Sequence, residues 1–153
     1  MLRLSRMTDY GAVVLSRLAE EGQGAVLAAP ALARELGIPE PTVGKLLKAL
    51  AGAGLVTSHR GTYGGYSLSR APEAITVGEI IAALEGPVAL VLCLDGAAGT
   101  CSVEAQCPIR GRWDSVNRTL QGVFESVSLA DMVTQKAPLP AAAGRVAALA
   151  AAE

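Results

Sequence analysis

Apolar positions recur at helical spacing through most of this chain and alternate in one short stretch. Tyr10, Val13, Val14 and Leu18 share a helical face, with Thr8 as the predicted cap, Asp9 in the first turn and "EEGQG" at 20–24 as the stop. Pro30 starts a second helix, with Leu32, Ala33 and Leu36 inward and Gly37 ending it. Pro41 opens a third. There Val43, Leu46, Leu47 and Leu50 make one apolar face, and Thr42, Lys45 and Lys48 lie off it. Two short helices joined by a tight glycine turn predict a helix-turn-helix.

The alternating stretch follows at once. "LVTSHRGTYGGYSLSR" at 55–70 predicts strand, glycine turn, strand, with Gly61, Gly64 and Gly65 supplying positive φ in the connection. A hairpin directly after a helix-turn-helix makes a winged helix, here with Tyr63 at the tip and Arg60 placed for phosphates. Pro72 closes this unit. Thr76 and Glu79 then form a capping box before Val77, Ile80, Ile81 and Leu84, and Gly86-Pro87 stops that helix.

Beyond Cys107, Pro108 is predicted to open a last long helix. Ile109, Trp113, Val116, Leu120, Val123 and Val127 are spaced 4, 3, 4, 3, 4, the 3.5-residue period of a coiled-coil seam. Asn117 and Gln121 fall on the faces away from that seam. So narrow a stripe on a small chain predicts pairing with a second copy. Ser128 and Asp131 cap one more turn, and the Ala/Pro-rich remainder, 135–153, is expected to be a flexible tail.

Composition changes this picture in two places. With 153 residues and 3% aromatics, the core must be aliphatic, in one ordinary domain or a small domain with an appendage. The net charge of −1 hides an asymmetry. Residues 1–72 carry eight Lys/Arg against five acids, and 73–153 carry five against nine. The net charge advertises no nucleic acid by itself, but a basic first half and an acidic second half suggest two jobs. No apolar signal segment follows the basic start, and "VALVLCL" is far too short to span a bilayer. The expected location is the cytoplasm, with no membrane partner and no small-molecule substrate.

All three cysteines fall within fifteen residues, as Cys93-x7-Cys101-x5-Cys107. In a cytoplasmic protein such a cluster binds metal or senses redox state more often than it forms structural disulfides. From the residues alone a disulfide switch, a three-thiolate zinc site and an iron–sulfur site all stay open. A small thiol or zinc enzyme or scaffold is disfavoured. No catalytic base lies near the cysteines, and there is no CxxC pair or Gly-rich phosphate motif.

The start "MLRLSRMTDYG", the span "KLLKALAGAGLVTSHRGTYGGYSLSR", the segment "ITVGEIIAALEGP" and the cysteine triplet together closely resemble the Rrf-two family of bacterial winged-helix regulators. The resemblance covers residues 1 to about 134. It is greatest to the branch that regulates the SUF iron–sulfur assembly operon. It implies a mainly α fold with a small β-hairpin wing: a winged helix-turn-helix DNA-binding domain over 1–72, a connecting helix and cluster-binding loop over 73–107, and a dimerisation helix over 108–134. It also implies a homodimer that binds operator DNA and carries an iron–sulfur cluster, [2Fe-2S] before [4Fe-4S], on Cys93, Cys101 and Cys107.

Some members of the family take their fourth ligand from a His three residues after the third Cys. Here that residue is Arg110, whose guanidinium stays protonated and cannot ligate. The only histidine, His59, lies on the wing. Other members use an Asp from the first helix of the partner chain, and Asp9 occupies the matching place. The expected shell is therefore three thiolates plus Asp9 of the partner subunit, with Glu104, Gln106 or water as alternatives. Asp9 is also the acid that any helix dipole favours in its first turn.

Thr42 and Lys45 are the expected base readers, Lys48, Arg3 and Arg6 phosphate contacts, and Arg60 and Tyr63 wing contacts. Against this, a lone lysine would be read as part of a solvated helix face and Tyr63 as a turn aromatic; the place in a recognition helix tilts the lysines toward DNA. The function so read is a cluster-sensing regulator, a repressor, of iron–sulfur assembly genes and not an enzyme. The alternatives are a nitric-oxide or thiol sensor of the same fold, or a cluster-independent DNA regulator.

Overall fold

Ser5, and not Thr8, starts the first helix. In the computed structural model, which describes residues 3–94, 101–103 and 106–134, α1 spans Arg6–Glu20. Ser5 has extended backbone, and its Oγ accepts a hydrogen bond from the Thr8 N–H. Thr8 is buried instead, and its hydroxyl donates to the Glu85 carboxylate. The predicted cap was one turn too late because Ser5 and Thr8 are both good caps, and only the packing of Thr8 against α4 separates them.

Helix α2 (Ala29–Leu36) begins with Pro30 in its first turn and ends on Gly37 at φ 66°. Helix α3 (Glu40–Gly52) carries Pro41 in its first turn. Its predicted apolar face is the centre of the core, since Val43, Leu46, Leu47 and Leu50 are fully buried. Burying each such side chain is worth about 1.5–3 kcal/mol. They pack with Leu15 and Leu18 of α1, Leu32 of α2 and Leu55 ahead of the wing.

The wing is an antiparallel pair, β1 (Val56–His59) with β2 (Gly65–Leu68), in register Val56 to Leu68 and His59 to Gly65. Of the three glycines expected at positive φ, only Gly61 has it, at 114°. The other two are required by close approach. A Cβ on Gly64 would stand 2.5 Å from the His59 carbonyl oxygen, and one on Gly65 would stand 2.4 Å from that of Leu27. Leu27, between α1 and α2, forms a two-bond bridge with Tyr66, at 2.9 and 2.8 Å. This third segment docks the wing onto the helical body.

The core runs on past Pro72. Ile75 is fully buried, and α4 (Val77–Glu85) starts on the predicted Thr76–Glu79 capping box. Ile80 and Ile81 face inward from α4. Gly11 lets α1 meet α4, since a Cβ there would stand 2.3 Å from Leu84 Cδ1. Arg70, just beyond the wing, bonds the Ala74 carbonyl at 3.1 Å and the Glu79 carboxylate at 2.9 Å.

The last long helix, α5, spans Arg112–Glu125, so it starts later than Pro108 predicts. Residues 108–111 form turns, and Gly111 at φ 74° precedes the first helical residue. A left-handed residue cannot continue a helix. Ile109 therefore stands outside the helix, Val127 lies beyond its end, and Trp113, Val116, Leu120 and Val123 are the positions of the predicted stripe that fall within it. After α5 the chain returns to the start of α4. The Val77 N–H donates to the Val127 carbonyl at 2.9 Å, and the Leu129 N–H to the Ile75 carbonyl at 2.8 Å. Helix α6 (Leu129–Val133), capped by the predicted Ser128–Asp131 box, places Leu129 fully inside the core. The predicted tail, 135–153, lies outside the described residues.

Candidate functional site

Two sets of residues stand apart from the core. The first lies on α3 and the wing. With Val43, Leu46, Leu47 and Leu50 inward, helical geometry turns Lys45 and Lys48 outward, and both are exposed. Thr42 is half-buried on the first turn. Arg60 is exposed where β1 ends, and Tyr63 is 95% exposed at the tip. Among the described residues, Lys45, Lys48 and Arg60 make no ion pair. By contrast, Arg17 pairs with Glu21 and Glu35, and Arg70 with Glu79. His59 also faces outward on the wing, its Nε2 2.8 Å from the Ser67 hydroxyl, far in sequence from the cysteines.

Arg3 and Arg6 are exposed at the entry to α1. They line a groove of about 720 Å³ with Thr8, Asp9, Ile80 and Leu129. The Glu85 carboxylate holds this entry in place. It accepts from the Thr8 hydroxyl and, at 2.7 Å, from the Ser5 N–H. Those donors, Thr8 first and then Ser5, hold the Glu85 carboxyl below its ordinary range.

The second set is the cysteines. Cys93 sits in a short 3-10 turn, Leu92–Leu94, and Cys107 on the turns that lead into α5. Cys93, Cys101 and Cys107 line one cavity of about 160 Å³ with Val91, Ile109, Arg110 and Trp113. All three are free thiols, Cys93 exposed and the others half-exposed. The triplet spacing therefore brings its members to one place. Among the described residues, no three His, Cys, Asp or Glu side chains stand close enough to hold a metal ion as they are. The donor set suits iron in kind, with three soft ligands around a cavity walled by apolar side chains.

Asp9 does not join this cavity within the chain. It is exposed and lines the groove beside Arg3 and Arg6. Gln106 is exposed, and Glu104 lies outside the described residues. Arg3 links the two regions, because a second cavity of about 690 Å³ holds it together with Glu85, Cys93 and Cys101.

One buried polar residue was missed. Asn117, assigned to the outer face of α5, is 8% exposed and bonds the main chain at Val88 and Leu90. Its partners lie 27 and 29 residues away, so no periodicity could have found it. On the seam side, Ile109, Trp113 and Val116 remain 46%, 37% and 49% exposed.

A helix-turn-helix with exposed, unpaired lysines on its second helix, followed by a docked hairpin with an arginine and an aromatic tip, defines a winged-helix regulator. The model of the Rrf2 family, described as an iron-dependent transcriptional regulator, matches residues 4–135. The chain belongs to the Rrf2 family of transcriptional regulators and is not an enzyme. It is 30% identical over 133 residues to the transcriptional regulator CymR of Bacillus subtilis, covering 87% of this chain and 91% of that one. It is also 30% identical over 139 residues to protein rrf2 of Nitratidesulfovibrio vulgaris, covering 91% and 92%.

Among solved structures, it is similar to CymR of B. subtilis, described as the global cysteine regulator. That match has a TM-score of 0.68 at 30% identity and covers 90% of this chain and all of the other. It is similar as well to IscR of T. potens, with a TM-score of 0.63 at 32% identity, covering 90% and 93%. The mainly helical fold with one antiparallel hairpin is the fold of these regulators. Among the described residues no helix is long and apolar enough to cross a membrane.

Proposed function

We propose that this protein is an iron–sulfur-sensing repressor of iron–sulfur cluster assembly genes, acting as a homodimer on operator DNA. The observation that carries the reading is the convergence of Cys93, Cys101 and Cys107 on one apolar cavity. The family's description as iron-dependent and the likeness to IscR support it. The three thiolates, with Asp9 of the partner subunit, would hold the cluster, preferably [2Fe-2S]. When bound, it supplies a cross-link whose gain or loss is the signal.

The remaining steps belong to the chain. Asp9 sits on the same helix entry as Arg3 and Arg6, so a tie at Asp9 orients that entry. Glu85 carries the constraint between α4 and α1. Lys45 and Thr42 face the bases, and Lys48, Arg60, Tyr63, Arg3 and Arg6 the backbone and groove. The exposed stripe of Ile109, Trp113 and Val116 supplies the contact between copies. A change at the loop then alters how two recognition helices fit their half-sites.

A second reading is a thiol-sensing regulator with no cluster. It is favoured by the at least partial exposure of all three thiols and by the likeness to the cysteine regulator CymR. One experiment separates the two. The protein is purified without oxygen, its visible spectrum, iron and sulfide are measured, and operator binding is compared with and without the cluster. The expected result is a coloured protein that loses its colour in Cys101→Ala and has a shorter cluster lifetime in Asp9→Ala. A colourless wild type with full operator affinity refutes the cluster and leaves the thiol reading. An unchanged lifetime in Asp9→Ala removes Asp9 from the shell.

A further inference from the structure

Asn117 is buried on a helix whose neighbouring Val116 and Arg118 are exposed. Its amide is used at both ends. Oδ1 accepts from the Leu90 N–H at 3.1 Å, and Nδ2 donates to the Val88 carbonyl at 2.9 Å. Gln121, one turn on, donates to the same Val88 carbonyl at 3.2 Å. Val88 and Leu90 belong to no helix or strand. Main-chain groups outside regular structure need partners from elsewhere, and α5 provides them as side chains.

The gripped segment leads straight into the turn that bears Cys93, where the Leu94 N–H closes on the Val91 carbonyl at 3.0 Å. The gripping helix is entered through the turns that bear Cys107, and its Trp113 walls the cysteine cavity. Cys93 and Cys107 thus stand at the two ends of one brace, with Asn117 as its buried crosspiece.

We propose that Asn117 is a positioning residue for the cysteine site. Its two bonds fix the approach to Cys93 against α5 and thereby set the separation of Cys93 from Cys107. The proposal deepens the cysteine-site reading and rests on it. It concerns thiol geometry in the iron-free chain, so it is tested without iron.

The test uses the full-length protein, iron-free and reduced, carrying Cys101→Ser so that only Cys93 and Cys107 remain. Dibromobimane, which fluoresces when it bridges two thiols, reads their separation, and iodoacetamide reads the reactivity of each thiol alone. In Asn117→Ala, bridging is expected to slow about tenfold, the scale set by losing buried amide hydrogen bonds, with single alkylation unchanged. Asn117→Asp keeps the acceptor for Leu90 and loses the donor, so an intermediate rate is expected. That variant carries the test if Asn117→Ala does not fold. Gln121→Ala removes one bond to Val88 but leaves both Asn117 bonds intact, so it is expected to slow bridging less than Asn117→Ala does.

Unchanged bridging in the Asn117 variants overturns the proposal. So does a loss in Gln121→Ala as large as that in Asn117→Ala, which would mean a general loosening of α5. A colourless wild type under anaerobic purification would remove the cluster and leave these rates, and this inference, standing.

Discussion

Gly65→Ala is expected to break the docking of the wing, and the structure sets the size of the effect. The added Cβ would stand 2.4 Å from the Leu27 carbonyl oxygen, 2.6 Å from its carbon and 3.0 Å from the Ala28 nitrogen. All three are main-chain atoms, so no side chain can swing aside. Either the clash is held, at about 1–3 kcal/mol for an overpacked site, or the wing shifts and gives up the two Leu27–Tyr66 bonds, at about 1 kcal/mol each. Both routes cost about 2 kcal/mol, which for a chain of this size lowers the melting temperature by about 4–8 °C. Thermal unfolding followed by circular dichroism reads this directly. Gly44→Ala is the control, because a Cβ there meets nothing within 4 Å and alanine favours a helix interior by about 1 kcal/mol. It is expected to melt at or above the wild-type temperature. A Gly65→Ala protein that melts with the wild type would refute the close-approach argument.

Other outcomes are expected elsewhere. Leu129→Ala empties a fully buried position supplied by the last helix and is expected to cost about 2–5 kcal/mol in urea unfolding. A loss below 1 kcal/mol would mean that α6 is not part of the folded core. If α3 and the wing contact DNA phosphates, Lys48→Ala and Arg60→Ala should each weaken operator binding and reduce the salt slope by about one. Fluorescence anisotropy across a salt series tests this, and a slope equal to wild type removes that residue from the interface.

The Glu85 carboxyl lies below its ordinary value of 4.5 because Thr8 and Ser5 donate to it. Partial burial pushes Glu79 up, but the Thr76 N–H and the Arg70 guanidinium outweigh that and hold it below the same value. Their contribution is therefore complete above the unfolded value and is lost as the pH falls through the native one. The gap in urea midpoint between wild type and Glu85→Gln is expected at neutral pH and should close in acid. A gap that persists in acid would contradict the carboxylate's role.

The helices α1 to α4 and the body of α5 were legible in the spacing of apolar residues, and α6 in its cap. So were the stop at Gly37, the outward lysines of α3, the Thr76–Glu79 and Ser128–Asp131 boxes, and the hairpin with its exposed tip. These signals are local: a periodic face, a cap or a turn is complete within a few residues. The triplet spacing also pointed to a shared site, and the three cysteines do line one cavity.

Most of what failed was decided over distance; the late start of α5, set by the adjacent left-handed Gly111, was not. Ser5 and Thr8 are equal as caps until Glu85, about eighty residues on, claims the Thr8 hydroxyl. Gly64 and Gly65 read as left-handed residues, but a Cβ is excluded at Gly64 by main-chain atoms of the hairpin itself and at Gly65 by the distant Leu27 carbonyl. Asn117 looks solvent-facing by period, and it is buried because two main-chain groups in another segment need partners. Sequence by itself determined which segments coil, extend and turn in this protein, because those choices follow from each residue's own stereochemistry and its near neighbours. Only the tertiary structure decided which polar groups are used up and which glycines cannot be replaced, because hydrogen-bond satisfaction and close packing depend on atoms that the chain brings together from far apart.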